Sequence, residues 1–162
     1  MSTRRSIAAL MVGVAAASSG CTTSKLLIDA ELVRTNTHTV LAFEETVFNK
    51  HHVRDGFDRY VGPGFMQHSA TLPDERDATI ALLTRMLTSE YPASRLTVER
   101  TVAQGDLVAV QALWRPRPAE AHSVARVDIY RLLGGRIVEH WDVTQGDAQA
   151  PPQGAPDKSA SQ

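Results

Sequence analysis

The apolar residues of this chain change their spacing at Pro92, and this change limits the folds that the chain can adopt. Before Pro92 they recur with a helical period, and after Pro92 they alternate with polar residues as in β-strands. The predicted order is helix, helix, short strand, helix and then four strands. Three helices packed on one face of a curved antiparallel β-sheet make an α+β fold, which leaves a pocket between the helices and the sheet.

Proline and glycine residues separate the predicted elements. Helices are expected at 36–49, at 53–61 and between Pro73 and Pro92, a short strand at 65–69, and longer strands at 96–102, 107–114, 122–133 and 136–144. The first helix has an apolar stripe of Val40, Leu41, Val47 and Phe48, with Glu44 and Glu45 outside it.

The N-terminal segment predicts export. Arg4 and Arg5 precede an unbroken apolar run at 7–17 and then small residues, which is the order of a signal peptide covering 1–20. The run would be about 16 Å long as a helix, too short for a bilayer core of about 30 Å. Cys21 follows directly, so the segment resembles a bacterial lipoprotein signal with Cys21 as the lipidation site. We expect an envelope protein that touches the membrane only through lipidated Cys21 or, after ordinary cleavage, a periplasmic or secreted protein.

Composition narrows the rest of the chain to one small domain. The 162 residues carry a formal net charge of -1, whereas nucleic-acid binding needs a basic face. The single cysteine excludes an internal disulfide, and no metal or phosphate motif is present, so we expect no metal and no cofactor. Residues 21–35 are predicted to be a tether that can extend the first helix, 36–145 the domain, and 146–162 a disordered tail.

The last two predicted strands form a hairpin whose register decides which side chains meet, because a slip of one residue reverses every side chain. A two-residue turn at 134–135 would keep Asp128 and Asp142 on opposite faces. A three-residue turn places Asp128 opposite His140 and Arg126 opposite Asp142. We prefer the second register because it separates two distinct faces. The polar face is Arg126, Asp128, Tyr130, His140 and Asp142, and the apolar face is Val127, Ile129, Ile137, Trp141 and Val143.

The polar face is predicted to form the wall of the pocket. Burial beside another carboxylate raises the pKa of an aspartate, whereas Arg126 or a protonated His140 lowers it. This face can therefore hold a general base next to a hydrogen-bond donor. The alternative is a structural ion-pair network without turnover, in which Asp142 pairs with Arg126 and Asp128 with His140.

Four segments of the sequence form a recognisable set: 60–68 (YVGPGFMQH), 105–110 (GDLVAV), 127–131 (VDIYR) and 135–143 (GRIVEHWDV). Together they resemble the SnoaL-like polyketide cyclase group of the nuclear transport factor 2-like superfamily, whose fold is an α+β cone. The similarity covers about 36–145.

The resemblance implies that Asp142 abstracts a proton next to a carbonyl group and that His68 assists. It places Asp128 where some relatives have a pocket His or Asp, so Asp128 is the third expected catalytic residue. Gln111 stands where many relatives have a His, and Ser69-Ala70 stands where many have Asn-Pro. The residues expected to contact substrate are Gln67, Tyr60, Gln111, Arg126, Tyr130 and His140.

Two functions fit these features. The first is an exported enzyme that carries out cofactor-free proton-transfer or aldol-type chemistry on a carbonyl compound. The alternative is a non-catalytic envelope protein that binds a small apolar ligand. In either case the apolar hairpin face has no helix left to cover it, which predicts a homodimer with Trp141 as its anchor.

Overall fold

The computed structural model describes residues 19–119 and 123–145, with side chains from residue 26 onward. Two of the three helices in this part of the chain end in a π-helical turn, at Glu45–Asn49 and at Met86–Glu90. The elements are α1 (Ser19–Glu44), α2 (Val53–Tyr60), β1 (Val61–Gln67), α3 (Arg76–Arg85), β2 (Arg95–Gln104), β3 (Leu107–Arg115), β4 (Val124–Leu133) and β5 (Arg136–Thr144). The predicted order of elements and the α+β class are confirmed.

The five strands form one sheet in the order β1-β5-β4-β3-β2. Strands β2 to β5 are antiparallel neighbours, but β1 runs parallel to β5. The prediction of a wholly antiparallel sheet is therefore wrong for β1. Helix α3 and strands β2 to β4 lie between β1 and β5 in the chain, so the two strands are joined by a long crossover rather than by a hairpin.

The helices cover one face of the sheet and bury the apolar core against it. Gly56 lets α2 approach the end of α1 closely, because a Cβ atom at this position would lie 2.5 Å from Val47 Cγ2. The buried apolar side chains of the core include Val40, Phe43, Val47, Phe48, Phe57, Leu83, Leu87, Val108, Val110, Leu132 and Ile137.

Helix α1 begins before the predicted domain and includes the 21–35 stretch, which is predicted to be a tether that can extend the first helix. The N-terminal side chains that it presents, among them Leu26, Leu27 and Ile28, are about two-thirds exposed. Apart from Ser19 and Gly20, the predicted signal peptide lies outside the described residues, as does the predicted tail at 146–162. None of the described helices combines the length and the apolar character that a membrane crossing requires.

The β4–β5 hairpin does not have the predicted register. Gly134 and Gly135, with φ of 58° and 75°, form a two-residue turn, so the predicted three-residue turn is wrong. Val138 then forms a bulge, since Arg131 pairs with Glu139 whereas Leu132 pairs with Ile137.

The bulge changes the pairing but preserves the predicted polar face. Asp128 lies opposite Asp142 rather than His140, and Arg126 lies opposite Thr144 rather than Asp142. Because the bulge adds one residue, all five predicted polar residues still point to the side that the helices cover. Ile137, which precedes the bulge, is buried in the core and does not belong to the exposed apolar face as predicted.

Candidate functional site

A buried polar cluster lies on the sheet beneath the helices, with Asp128 at its centre. Asp128 is fully buried and accepts hydrogen bonds from Arg126 through Nε, at 2.6 Å, and through Nη2. His140 Nε2 lies 3.0 Å from the same carboxylate. Burial acts to raise the pKa of Asp128, but the charge of Arg126 and the hydrogen bonds from His140 and Arg126 outweigh it and lower the pKa. Asp128 is therefore a carboxylate whose oxygens are already engaged.

Gln67 holds the other side of the His140 ring. Gln67 Oε1 lies 2.8 Å from His140 Nδ1 and also accepts the backbone N–H of Ser69 at 3.1 Å. The Tyr130 ring stacks on the His140 ring, with centroids 4.8 Å apart. The imidazole is thus fixed on both ring nitrogens and on one face.

Glu44 is the residue of this cluster that the sequence pattern did not reveal. It was expected outside the apolar stripe of α1, but it is 1% exposed, and Tyr130 Oη donates a hydrogen bond to its Oε1 at 2.5 Å. Glu44 Oε2 has no hydrogen-bond partner within the described residues. Burial and the nearby charge of Asp128 raise the pKa of Glu44 to about 8, so it is a neutral acid below that pH.

Two adjoining cavities lie between this cluster and the helices, and they share Phe48, Leu72, Leu83 and Arg126 as lining residues. The first, the Tyr130 cavity, is also lined by Phe43, Phe57, Phe65, Gln67, Tyr130, Ile137 and His140. The second, the Asp142 cavity, is also lined by Thr71, Met86, Trp114, Val124, Asp142 and Thr144.

The two cavities differ in size. The Tyr130 cavity has about 20 Å³, enough for about one water molecule. The Asp142 cavity has about 150 Å³, a size that can hold a molecule such as benzene. A larger groove of about 650 Å³, beside Arg95 and Arg115, is open at the surface and is not lined by any residue of the polar cluster. The Asp142 cavity is therefore the candidate ligand site.

The polar groups of the Asp142 cavity are complementary in character. Asp142 makes no hydrogen bond or ion pair with any residue that the structure describes, so the predicted Asp142–Arg126 pair is absent. Arg126 uses Nε and Nη2 on Asp128 and stacks on the Phe48 ring, which leaves Nη1 without a partner among the described residues. Trp114 Nε1 is buried and likewise has no acceptor in that part of the chain. A carboxylate and two residues with N–H donors that are unpaired within the described residues thus line one small cavity.

Three predicted site residues, His68, Gln111 and Tyr60, lie away from the Asp142 cavity. His68 is on the exposed face of the sheet, where its ring stacks on Trp141 at 4.7 Å and its Nε2 lies 3.2 Å from Glu139 Oε2. The geometry does not allow His68 to assist Asp142 as expected, because the adjacent Gln67 takes the inward position on β1 and consecutive strand residues point to opposite faces.

The same alternation removes Gln111 from the pocket. Gln111 is on the exposed face, between the fully buried Val110 and Ala112 on β3. Tyr60, at the end of α2, packs against the core but lines neither cavity. Over the described residues, no group of three His, Cys, Asp or Glu side chains is placed to hold a metal ion.

The sequence profile of the SnoaL-like domain family matches residues 40–140. This match covers more than half of the chain, so the protein belongs to the SnoaL-like domain family, and its fold is nuclear transport factor 2-like. No curated protein matches the chain.

Solved structures with the same fold share little sequence with this chain. A candidate polyketide cyclase from Acidithiobacillus ferrooxidans is 20% identical, with a TM-score of 0.56 over 69% of this chain and 89% of that one. AclR, a candidate hydroxylase from Streptomyces galilaeus, is 19% identical, with a TM-score of 0.59 over 70% and 90% of the two chains. An LEH-like epoxide hydrolase from M. tuberculosis is 18% identical, with a TM-score of 0.54 over 70% and 84%. These similarities extend to the fold and not to one reaction.

Proposed function

We propose that this protein is a cofactor-free enzyme that moves a proton at a carbon atom next to a carbonyl group, with Asp142 as the base. The observation that carries the proposal is the division of roles between the two facing aspartates. Asp128 is fully engaged by Arg126 and His140, whereas Asp142 lines the larger cavity without a partner among the described residues. An unpaired carboxylate is available to accept a proton, and an engaged one is not.

Arg126 and Trp114 supply the second requirement of this chemistry. Removal of the α-proton puts negative charge on the carbonyl oxygen, and fixed N–H donors in a largely apolar cavity stabilise that charge. The unused Nη1 of Arg126 and the unpartnered Nε1 of Trp114 both belong to residues that line the cavity beside Asp142. Asp128 holds the guanidinium of Arg126 in place, so we assign Asp128 a positioning role instead of the predicted catalytic one.

The test is hydrogen–deuterium exchange at the α-carbon of small neutral ketones, such as cyclopentanone and cyclohexanone, in D₂O by NMR. The wild-type chain should accelerate exchange, and Asp142→Asn should reduce the rate by about 10²–10⁴-fold, because an amide cannot accept the proton. Asp74→Asn, at an exposed position, is the matched control and should exchange like the wild type. Equal rates in Asp142→Asn and wild type would refute Asp142 as the base.

The second candidate is a non-catalytic protein that binds a small apolar ligand. The apolar side chains that line the Asp142 cavity favour it, because small apolar ligands bind in cavities of this kind: Phe48, Leu72, Leu83, Met86 and Val124. Chemical-shift changes at Phe48 and Trp114 on addition of a ketone, without any exchange at its α-carbon, would support this alternative over the enzyme.

We further propose that the chain is exported and anchored through lipidated Cys21, on the strength of the basic, apolar and small-residue order of 1–20. Cys21→Ser should move the protein from the membrane fraction to the soluble envelope fraction, and the neighbouring Thr22→Ser should not. A mature N-terminus upstream of Cys21 would contradict lipidation.

We also propose a homodimer through the exposed face of the sheet. Val127, Ile129 and Val143 are 38%, 36% and 71% exposed there, which is a patch that a two-fold partner can cover. The ring of the predicted anchor, Trp141, is already stacked against His68, so Ile129 is the better position for a substitution that disrupts the dimer. Ile129→Glu should sediment as a monomer at micromolar concentration, whereas wild type should sediment as a dimer. A monomeric wild type would rule the dimer out.

A further inference from the structure

We propose that His140 is an imidazolium in the folded chain, and that its charge fits the adjoining Asp142 cavity to a neutral carbonyl compound held as its enolate anion. This inference rests on the proposed function, because it names the class of substrate for the same cavity. It follows from the hydrogen-bond partners of the two ring nitrogens and from the charges that surround them.

The first ring nitrogen, Nδ1, has to be a donor. Its partner is the side-chain amide of Gln67, and the orientation of that amide is fixed by the backbone N–H of Ser69, which donates to Oε1 at 3.1 Å. An oxygen that accepts from Ser69 can only accept from His140 as well. The hydrogen on Nδ1 is therefore required by a group outside the His140–Asp128 pair.

The second ring nitrogen, Nε2, also has to be a donor. It lies 3.0 Å from Asp128 Oδ1, and Arg126 donates to both oxygens of the same carboxylate. A carboxylate that accepts from a guanidinium on both oxygens is ionised and has no proton to give. With both nitrogens donating, the imidazole carries a positive charge.

The charge of the cluster then follows. The groups that face His140 are Gln67 from β1 and Asp128 and Tyr130 from β4, with Glu44 of α1 behind Tyr130. Arg126 and His140 contribute two positive charges and Asp128 one negative charge. Glu44 is a neutral acid below about pH 8. The buried cluster therefore carries one net positive charge. Arg126 is the member of the cluster that lines the Asp142 cavity, whereas His140 lines the adjoining Tyr130 cavity. The carboxylate of Asp142 balances the charge of the cluster.

This balance selects the substrate. When Asp142 takes the α-proton of a neutral ketone, the negative charge moves from its carboxylate to the carbonyl oxygen of the substrate, and the site keeps its total charge. A substrate that enters as an anion would add a second negative charge next to that of Asp142. The site is thus matched to a neutral ketone, aldehyde or ester that becomes anionic only after the proton has moved.

Binding of a preformed enolate tests whether the charge of His140 favours an anion in the cavity once the charge of Asp142 is removed. Cyclohexane-1,3-dione is an enolate near neutral pH, and cyclohexanone is its neutral counterpart. We expect the dione to bind Asp142→Asn at least about tenfold more tightly than wild type, because the amide removes the competing charge, and cyclohexanone to bind both chains equally. In Asp142→Asn with His140→Gln, the gain for the dione should disappear. An unchanged dione affinity in Asp142→Asn, or a gain that survives loss of His140, would overturn the proposal.

The protonation state of His140 can be measured in the wild-type chain. Long-range ¹H–¹⁵N correlation spectra of the folded wild-type chain near pH 7 should show both ring nitrogens of His140 protonated, as their hydrogen-bond partners require. One unprotonated nitrogen in His140 near pH 7 would overturn the proposal. This readout does not depend on turnover, so failure of the exchange assay with a doubly protonated His140 would reject the enzyme and leave the charge assignment standing.

Discussion

Replacement of Glu44 by glutamine should stabilise this protein, although it removes a buried, hydrogen-bonded acidic residue from the core. Burial and the nearby Asp128 raise the pKa of Glu44 from 4.5 to about 8, so the native state binds a proton that the unfolded state has already released. A glutamine has nearly the same shape as the neutral acid and can accept the hydrogen bond of Tyr130 through its amide oxygen.

The expected gain depends on pH. Below pH 4.5 both states of the wild-type chain carry the Glu44 proton, so wild type and Glu44→Gln should differ little. Between pH 4.5 and about 8 the native state holds one proton more than the unfolded state, so wild type loses about 1.4 kcal/mol per pH unit relative to the variant. The difference should reach roughly 5 kcal/mol near pH 8 and stay constant above it.

Urea denaturation followed by circular dichroism at pH 5, 6, 7, 8 and 9 measures this difference. Glu45→Gln is the matched control, because Glu45 is the next residue along the chain and is exposed. Its curve of unfolding free energy against pH should run parallel to that of wild type, and the curve of Glu44→Gln should diverge upward until about pH 8.

Two outcomes would refute the reasoning. Parallel curves for Glu44→Gln and wild type would mean that Glu44 has the same pKa in the folded and unfolded chains. A variant that is less stable than wild type at every pH would mean that Glu44 is ionised in the core and paired with Arg126. Removal of one partner of a buried ion pair destabilises a protein.

Two further substitutions test the packing that positions the site. Gly56→Ala should destabilise the fold by about 1–3 kcal/mol in urea denaturation, because the new methyl group meets Val47, whereas alanine at the equally helical Arg54 should have little effect. Asn49→Ala should cost about 1–3 kcal/mol and speed amide exchange at Leu96, because Asn49 accepts from the backbone N–H of Leu96 at 2.8 Å and donates to its carbonyl oxygen at 3.1 Å; unchanged exchange would contradict this capping role.

The sequence predicted the polar face of the hairpin but not the partners across it. Which residues share a face is a local property of a strand, since side chains alternate with a period of two. Which residues lie opposite each other depends on the turn and on any bulge, and Gly134-Gly135 was compatible with more than one turn. Asp128 and Asp142 were therefore assigned to the right face, with the wrong partners.

Inward and outward positions on β1 and β3 were harder to predict. The 107–114 segment is almost wholly apolar, so it contains no alternation that would reveal the outward position of Gln111. On β1, glycine and proline replace the side chains that would mark the faces, and the choice between Gln67 and His68 had no local signal. Family resemblance favoured His68, whereas the contact with His140 selects Gln67.

Glu44 was overlooked although its spacing carried a signal. It lies four residues after Val40 and three before Val47, which places it on their side of the helix. Burial of a glutamate on an apolar stripe can be predicted only when its hydrogen-bond partner is known. The partner of Glu44 is Tyr130, which is 86 residues further along the chain. The charge pattern of one helix could not identify a contact that the β4 strand completes.

The bulge at Val138 is what allows one strand to serve both the core and the site. Ile137 packs in the core beside Leu132, and His140 and Asp142 belong to the polar cluster and the larger cavity, yet all of them point to the same face of the sheet. In a regular strand an odd-numbered residue and an even-numbered residue point to opposite faces. Without the extra residue, burial of Ile137 would turn His140 and Asp142 outward, and a cavity site would require an isoleucine exposed at the turn. The two-residue glycine turn and the bulge are therefore coupled features, and together they place Asp142 under the helices.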